Sequence, residues 1–355
     1  IDFVKVFTVN QYLLTLLIGV GFLRLIATPK KDKLTQFPIG KDSFIKTYFG
    51  VHLFGSVINL SSLILVADKM YKKSPLTNTQ VVLLTRAFAS DAYWSPFFVA
   101  FAAAITYAPK LDTSIILLNG IVLAFFAFLI TYFEVVKNKE FKLDEFRGYP
   151  LSFESLYVPF ILAILVLVTN YIYPNIKVIV LISTFSIFIT LLIFPFKKGL
   201  SQSLIKFNNH VIEELPKMKV EIALFLVAGM FGISISSILI GLNLDLPFEV
   251  FDWQIASILL FIFIILAFIG IHPIITIAII GDFLGGVNHT LLALTFLMAW
   301  STTVSTSPFS GLNLTIVARY NFDAKEIFRL NIFYAFKMYL ICVFCLFILS
   351  KYLGL

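Results

Sequence analysis

The chain has 355 residues, of which 59% are hydrophobic and 13% charged, and its formal net charge is +7. Soluble domains carry about 25% charged residues, so this composition excludes an ordinary cytosolic enzyme, a disordered chain and, despite the positive charge, a nucleic-acid-binding protein. A membrane span needs about 20 apolar residues, and many such stretches follow one another. The sequence therefore predicts an all-α integral membrane protein that crosses the cell (inner) membrane several times, with the lipid bilayer as its main partner.

Apolar segments in the first part of the chain alternate with basic loops and polar interruptions. One segment is interrupted near Asn59, and the next is interrupted over residues 90–96, which end in Pro96. We predict an arm helix, a hairpin, an interrupted helix and a full span, over residues 12–27, 44–71, 79–107 and 113–136.

The second part of the chain repeats this order after additional segments. A charged stretch with five lysines over residues 197–219 has the mixed spacing of an amphipathic surface helix. Two later apolar segments are too long for one upright span, and they are interrupted over residues 270–273 and 301–308. We predict scaffold helices, an amphipathic arm, a span, a hairpin, an interrupted helix and a final span, over residues 157–196, 197–219, 222–242, 253–283, 290–320 and 331–353.

A duplicated unit is indicated by matching motifs in the two parts. The tripeptide Ser-Pro-Phe occurs at Ser95 and again at Ser307, an offset of 212 residues, and the same offset pairs Asn119 with Asn331. We therefore divide the chain into two repeats, residues 1–136 and 137–355. The same offset would place counterparts of the scaffold helices before residue 1, which predicts about two further N-terminal helices in the full protein.

Charge predicts the orientation of the two repeats. Most lysines and arginines fall on one side if residues 44–71 form a hairpin that returns to the side it entered. The positive-inside rule makes that side cytoplasmic. The first hairpin then opens to the cytoplasm, the second opens to the exterior, and the two halves are inverted, as in many secondary transporters.

Two hairpins, two interrupted helices rich in Ser and Thr, amphipathic arms and inverted halves together resemble the ion transporter superfamily. That group includes divalent anion/sodium symporters, citrate and arsenite permeases and related sodium/proton antiporters. The resemblance implies an inverted-repeat secondary transporter fold with two re-entrant hairpins and two interrupted transmembrane helices, and members of this architecture are often homodimers. Several members carry Ser-Asn-Thr motifs at the hairpin tips, whereas this sequence contains none.

The candidate binding residues are the polar side chains at the four breaks. A helix broken at membrane depth must line a cavity or be buried in protein, and its free amides can bind an anion while its free carbonyls bind a cation. The alternative is that these are proline kinks whose hydroxyls bond to local backbone. The substrate- or ion-binding candidates are Asn59, Ser61, Ser62, Ser90, Asp91, Ser95, His272, Thr302, Thr303, Ser305, Ser307 and Ser310, and His52 and Asn313 rank below them.

Asp91 is the most informative single residue, because an ionisable group inside a span is costly and indicates function by default. It could bind a proton or a cation during coupling. The alternative is a structural salt bridge with Arg86, five residues earlier. Arg86 could itself attract an anionic substrate.

No enzyme, nucleotide-hydrolysing or cofactor motif occurs in the sequence, so uphill transport would depend on an ion gradient. The leading hypothesis is a secondary active transporter of a small anion, a carboxylate first among them, coupled to sodium or protons by alternating access. One alternative is a cation/proton antiporter of the same fold. A second is a membrane enzyme for lipid-linked substrates, which short external loops with little Arg or His disfavour. No metal site is predicted beyond a transported sodium ion.

Overall fold

In the computed structural model the described residues are 3–27, 38–149, 157–242 and 248–355, and they fold almost entirely into helices. Within these ranges the β-structure is limited to one isolated bridge between Ile39 and Arg147. The predicted all-helical class is therefore confirmed. Five helical segments of the described chain are long and apolar enough to cross a membrane: Val6–Ile26, Thr113–Lys137, Val178–Lys198, Leu200–Gly241 and Ala324–Tyr352.

The helices of the first part are interrupted at two positions. Asn59 separates α3 from α4 with a φ of 51°, a left-handed conformation that Asn adopts more readily than most residues. A 3₁₀ turn over Ser90–Tyr93 follows α5, and α6 begins only at Val99. The helices are α1 Phe3–Thr8, α2 Gln11–Ala27, α3 Lys41–Ile58, α4 Leu60–Tyr71, α5 Asn78–Ala89, α6 Val99–Tyr107 and α7 Thr113–Lys137.

The helices of the second part include two further interruptions, over residues 269–272 and 307–310. The predicted amphipathic arm forms α10 and then continues into α11 through a π-helical turn, His210–Glu214, and a 3₁₀ turn. The helices are α8 Tyr157–Ile172, α9 Val178–Lys198, α10 Leu200–Asn209, α11 Lys219–Gly241, α12 Trp253–Phe268, α13 Pro273–Phe283, α14 His289–Thr306, α15 Gly311–Tyr320 and α16 Ala324–Tyr352.

The last helix begins seven residues earlier than the apolar segment predicted. Asp323 caps α16 by accepting a hydrogen bond from the amide of Lys325, as an N-terminal Asp commonly does. The charged first turn of α16 therefore extends beyond the apolar span, and hydropathy alone does not detect it.

The first hairpin consists of α3, Asn59 and α4, and both of its free ends lie at the same end of the molecule. Near the start of α3, Ser43 Oγ accepts a hydrogen bond of 3.0 Å from the amide of Gly148. Near the end of α4, Lys69 Nζ lies 5.9 Å from the ring centre of Tyr149. We call this end of the molecule the basic end; it comprises residues 38–43, 68–79, 137–149 and 319–329.

The second hairpin consists of α12, residues 269–272 and α13, and it opens toward the opposite end. The amide of Trp253, at the start of α12, donates to Ser350 Oγ near the end of α16 over 3.2 Å. Near the end of α13, Gly281 packs directly against Tyr107 at the end of α6. The two hairpins therefore enter the molecule from opposite ends.

The apolar core contains many buried hydroxyls, and the surface carries many large apolar side chains, unlike the surface of a water-soluble protein. Every residue of α14 from Thr290 to Thr306 is buried, including its hydroxyls, whereas large aromatic side chains such as Phe125, Phe333 and Phe336 are exposed. An apolar surface of this kind suits contact with lipid. Broken helices at membrane depth are stable only where protein surrounds them, which is the case for the buried α14.

Candidate functional site

The first helix break contacts α14 just before the second break. The predicted break over 301–308 is wrong in its first part, because α14 stays helical to Thr306. Ser301 Oγ, on α14, donates a 2.8 Å hydrogen bond to the carbonyl of Ala89, at the end of α5. Tyr93 Oη and Thr302 Oγ1 lie 3.3 Å apart beside it. Ala89 and Ser301 are separated by 212 residues, which is also the offset between the two Ser-Pro-Phe motifs. Two positions at this offset therefore contact one another directly.

The two Ser-Pro-Phe motifs form the same hydrogen bonds. Ser95 Oγ donates to the carbonyl of Ser56 on the first hairpin and accepts from the amide of Phe97. Ser307 Oγ donates to the carbonyl of Ala267 on the second hairpin and accepts from the amide two residues later. Each serine therefore joins a helix break to the inner end of the hairpin in its own half.

Replacing either serine by alanine should lower the stability of the protein by a similar amount. Ser95→Ala and Ser307→Ala each leave a buried carbonyl without its hydroxyl partner, which costs about 1–3 kcal/mol. Thr315→Ala is the control, because Thr315 is half-buried and its hydroxyl bonds only to its own helix. Thermal unfolding in detergent would measure all three variants, and a loss confined to one serine would contradict the matched roles.

Asp91 lies in a buried cluster at the first break. Its Oδ1 is 2.7 Å from Nδ1 of His52, and the Asp91 side chain is fully buried. The same His52 Nδ1 lies 3.0 Å from Ser90 Oγ and 3.0 Å from the carbonyl of Ala87. On the other side of the ring, Trp94 Nε1 donates to His52 Nε2 over 3.2 Å. No described residue donates a hydrogen bond to either oxygen of Asp91, so the close approach of His52 is its nearest ionisable contact.

A glycine lets the first hairpin approach this carboxylate. A Cβ at Gly55 would overlap Asp91 Oδ2 and would lie 3.2 Å from Ser62 Oγ. Ser62 Oγ in turn donates to the carbonyl of Asn59 over 3.1 Å. The structure thus brings Ser62, Ser90, Asp91 and Ser95 together, and it adds His52, which the sequence ranked lower.

The second break borders a small cavity at the turn of the second hairpin. This cavity has a volume of about 20 Å³ and is lined by His272, Thr303, Ser307 and Ser310, among others. A volume of this size holds one water-sized species. His272 Nδ1 accepts from the amide of Ile274, so this nitrogen carries no proton and Nε2 is the protonated position.

Asn313 is a further polar residue at the second break, which the sequence ranked below the other candidates. Its Nδ2 donates to the carbonyls of Ser305 and Ser307, over 3.2 and 2.9 Å, while no described residue bonds to its buried Oδ1. A buried carbonyl oxygen without a partner can accept a bond from a substrate or bind a cation. The sequence did offer one signal for Asn313, namely its position close to a hydroxyl-rich break, and the structure places it two residues after the start of α15.

The remaining candidates make only local contacts. Asn59 and Ser61 are half-buried at the turn of the first hairpin, and no side-chain hydrogen bond among the described residues connects Ser61 to Asp91. Ser305 Oγ donates to the carbonyl of Thr302, which is local backbone bonding of the kind expected at a kink.

Arg86 does not pair with Asp91, which corrects the structural alternative drawn from the sequence. Its Nη2 donates to Glu134 Oε1 over 2.9 Å and its Nε to Asn331 Oδ1 over 2.8 Å. Glu134 Oε2 also accepts from Lys337 Nζ over 2.9 Å. Arg86 is thus bound to α7 and α16, and this leaves Asp91 without a neutralising arginine.

No protein-family model and no curated protein sequence matches this chain. Among solved structures, the fold is similar to the YdaH transporter of Alcanivorax borkumensis, whose reported topology is unusual. The TM-score is 0.57 and the identity 12%, and the alignment covers 98% of this chain and 86% of the YdaH chain. At this identity the similarity concerns the fold, which is that of a multi-pass membrane protein.

Proposed function

We propose that this protein is a secondary active transporter that moves a small anion, with carboxylates as the first class to test, coupled to a sodium or proton gradient. The observation that carries the proposal is Asp91, a fully buried carboxylate at a broken helix whose two oxygens accept no hydrogen bond from a described residue. A buried charge of this kind is costly, and reversible occupation by a proton or cation explains why it is retained. The fold similarity to a transporter agrees with this assignment.

The anion would bind at half-helix N-termini. Both α4 and α6 begin without a side-chain cap, so their first amides lack helical partners and present the positive end of the helix dipole. These two N-termini belong to the first hairpin and the first broken helix, which Ser95 joins to one another. Anionic substrate and coupling cation would therefore occupy neighbouring positions, as coupling requires.

We further propose that both hairpins are re-entrant and that the two halves, residues 1–136 and 137–355, are inverted repeats, as in the ion transporter superfamily. This is supported by hairpins that enter from opposite ends and by matched serine bonds at the two breaks. We place the basic end in the cytoplasm by the positive-inside rule, and the protein in the inner membrane. The resemblance to the ion transporter superfamily also leads us to propose a homodimer.

A cation/proton antiporter is the second candidate, and Asp91 also favours it. A single carboxylate beside His52 could bind a cation and a proton in turn, with no anion involved. The two functions differ in what the uncapped helix N-termini do: they bind substrate in a symporter and have no ligand in an antiporter.

Solid-supported-membrane currents from full-chain protein in proteoliposomes test the proposal. Currents evoked by small carboxylates, and dependent on sodium or on a pH step, are expected for the anion transporter. Proton movement driven by sodium alone, with no response to any carboxylate, would reject it in favour of the antiporter.

A further inference from the structure

His52 has a defined protonation state, because its two ring nitrogens meet different partners. The indole N–H of Trp94 can only donate, so the His52 Nε2 that faces it over 3.2 Å must accept and carries no proton. The opposite nitrogen, Nδ1, faces Asp91 Oδ1 at 2.7 Å and the carbonyl of Ala87 at 3.0 Å, and both of these are acceptors. His52 is therefore neutral, with its proton on Nδ1.

A second proton on His52 would break this arrangement. It would have to bind Nε2, where the new N–H would point at the N–H of Trp94 and replace a hydrogen bond with two opposed donors. Neither oxygen of Asp91, by contrast, accepts a hydrogen bond from a described residue. Oδ1 faces His52 Nδ1, whereas Oδ2 is buried against Gly55 and faces no N–H of the ring.

From this geometry we infer that Asp91 Oδ2 is the proton-binding atom of the first break, and that His52 and Trp94 are positioning residues that direct the proton to it. A proton from solution forms an O–H bond at Oδ2 and converts the carboxylate to a neutral acid. No other bond breaks, and the 2.7 Å contact between His52 Nδ1 and Asp91 Oδ1 can persist. The inference rests on the proposed function only in assigning this proton to coupling.

The other charged and titratable groups around Asp91 and His52 do not compete with Asp91 for this proton. Tyr48, on α3, stacks on the His52 ring with centres 6.4 Å apart. Arg86 on α5 and Glu134 on α7 neutralise one another. The 3₁₀ turn itself contributes Tyr93, whose hydroxyl contacts Thr302 on α14. The titratable residues that remain on the packed elements lie at helix ends: Tyr107 on α6, His289 on α14, and Lys41, Asp42, Lys46, Tyr132 and Lys137 on α3 and α7.

Infrared difference spectra between acid and alkaline pH, recorded on full-chain protein in liposomes, test the inference directly. At acid pH, wild type should show a C=O band of a protonated carboxyl group that Asp91→Asn lacks. It should persist in His52→Asn, whose amide can replace the Nδ1 donor but cannot accept a proton. Wild type should show no imidazolium band from His52. Trp94→Phe should gain one, because the substitution frees His52 Nε2 to bind a proton. Trp253→Phe is the control for the loss of a tryptophan elsewhere.

Identical carboxyl bands in wild type and Asp91→Asn would overturn the inference, as would a wild-type imidazolium band that disappears in His52→Asn. Proton binding measured in this way needs no transported substrate. An Asp91 band in a protein that transports nothing would therefore reject the proposed function and leave the proton site intact.

Discussion

Asp91→Asn should abolish anion accumulation driven by a pH gradient and leave anion exchange intact. Asparagine resembles the protonated aspartic acid in shape and charge, so the substrate site persists while the proton can no longer leave. We expect gradient-driven uptake to fall at least about tenfold, a loss equivalent to about 1.4 kcal/mol or more of coupling. Exchange of labelled for unlabelled anion should stay within a few-fold of wild type.

The measurement compares both fluxes in proteoliposomes, using the carboxylate that gives the largest wild-type current. Asp42→Asn is the matched control, because Asp42 is exposed in the first turn of α3. Undiminished accumulation in Asp91→Asn under a pH gradient would contradict the account. An antiporter would instead lose its sodium-driven proton movement in this variant and show no anion flux even in wild type.

Glu134→Ala should cause the largest loss of stability. Arg86 is completely buried, its Cζ lies 4.3 Å from the ring centre of Tyr334, and Glu134 is its carboxylate partner. Removing one member of a buried pair leaves an uncompensated charge, which costs about 3–5 kcal/mol. Glu145→Ala, which removes an exposed partner of Lys142, should cost less than about 1 kcal/mol.

Unfolding in detergent would compare these variants with the double variant Arg86→Met, Glu134→Ala. The double variant should recover part of the lost stability, because no unpaired charge then remains buried. A double variant as unstable as the single one would mean that Glu134 contributes through packing alone.

Sequence patterns located features that depend on local order along the chain. The Ser-Pro-Phe motifs, the offset of 212 residues and an ionisable residue in an apolar segment all pointed to the breaks, where the structure places Asp91 and Ser307. Hydropathy also predicted the all-helical class, because each helix must satisfy its own backbone in lipid.

Contacts between distant residues could not be read in this way. Glu134 lies 48 residues from Arg86, and Lys337 lies 203 residues from Glu134, so the sequence paired Arg86 with its nearest acidic neighbour, Asp91. His52 was ranked low for the same reason: its importance comes from Trp94 and Asp91, which belong to another helix segment. The pairing of charges across helices is set by packing, and packing is what spacing in one sequence does not encode.

The most direct test of transport coupled to an ion gradient is accumulation. Full-chain protein in proteoliposomes would be given a labelled small carboxylate, with an inward sodium gradient, an inward proton gradient or neither. We expect the anion to rise above its external concentration only when a gradient is imposed, and the excess to disappear when the gradient is dissipated. Uptake that merely equilibrates under every condition, or no uptake at all, would contradict it.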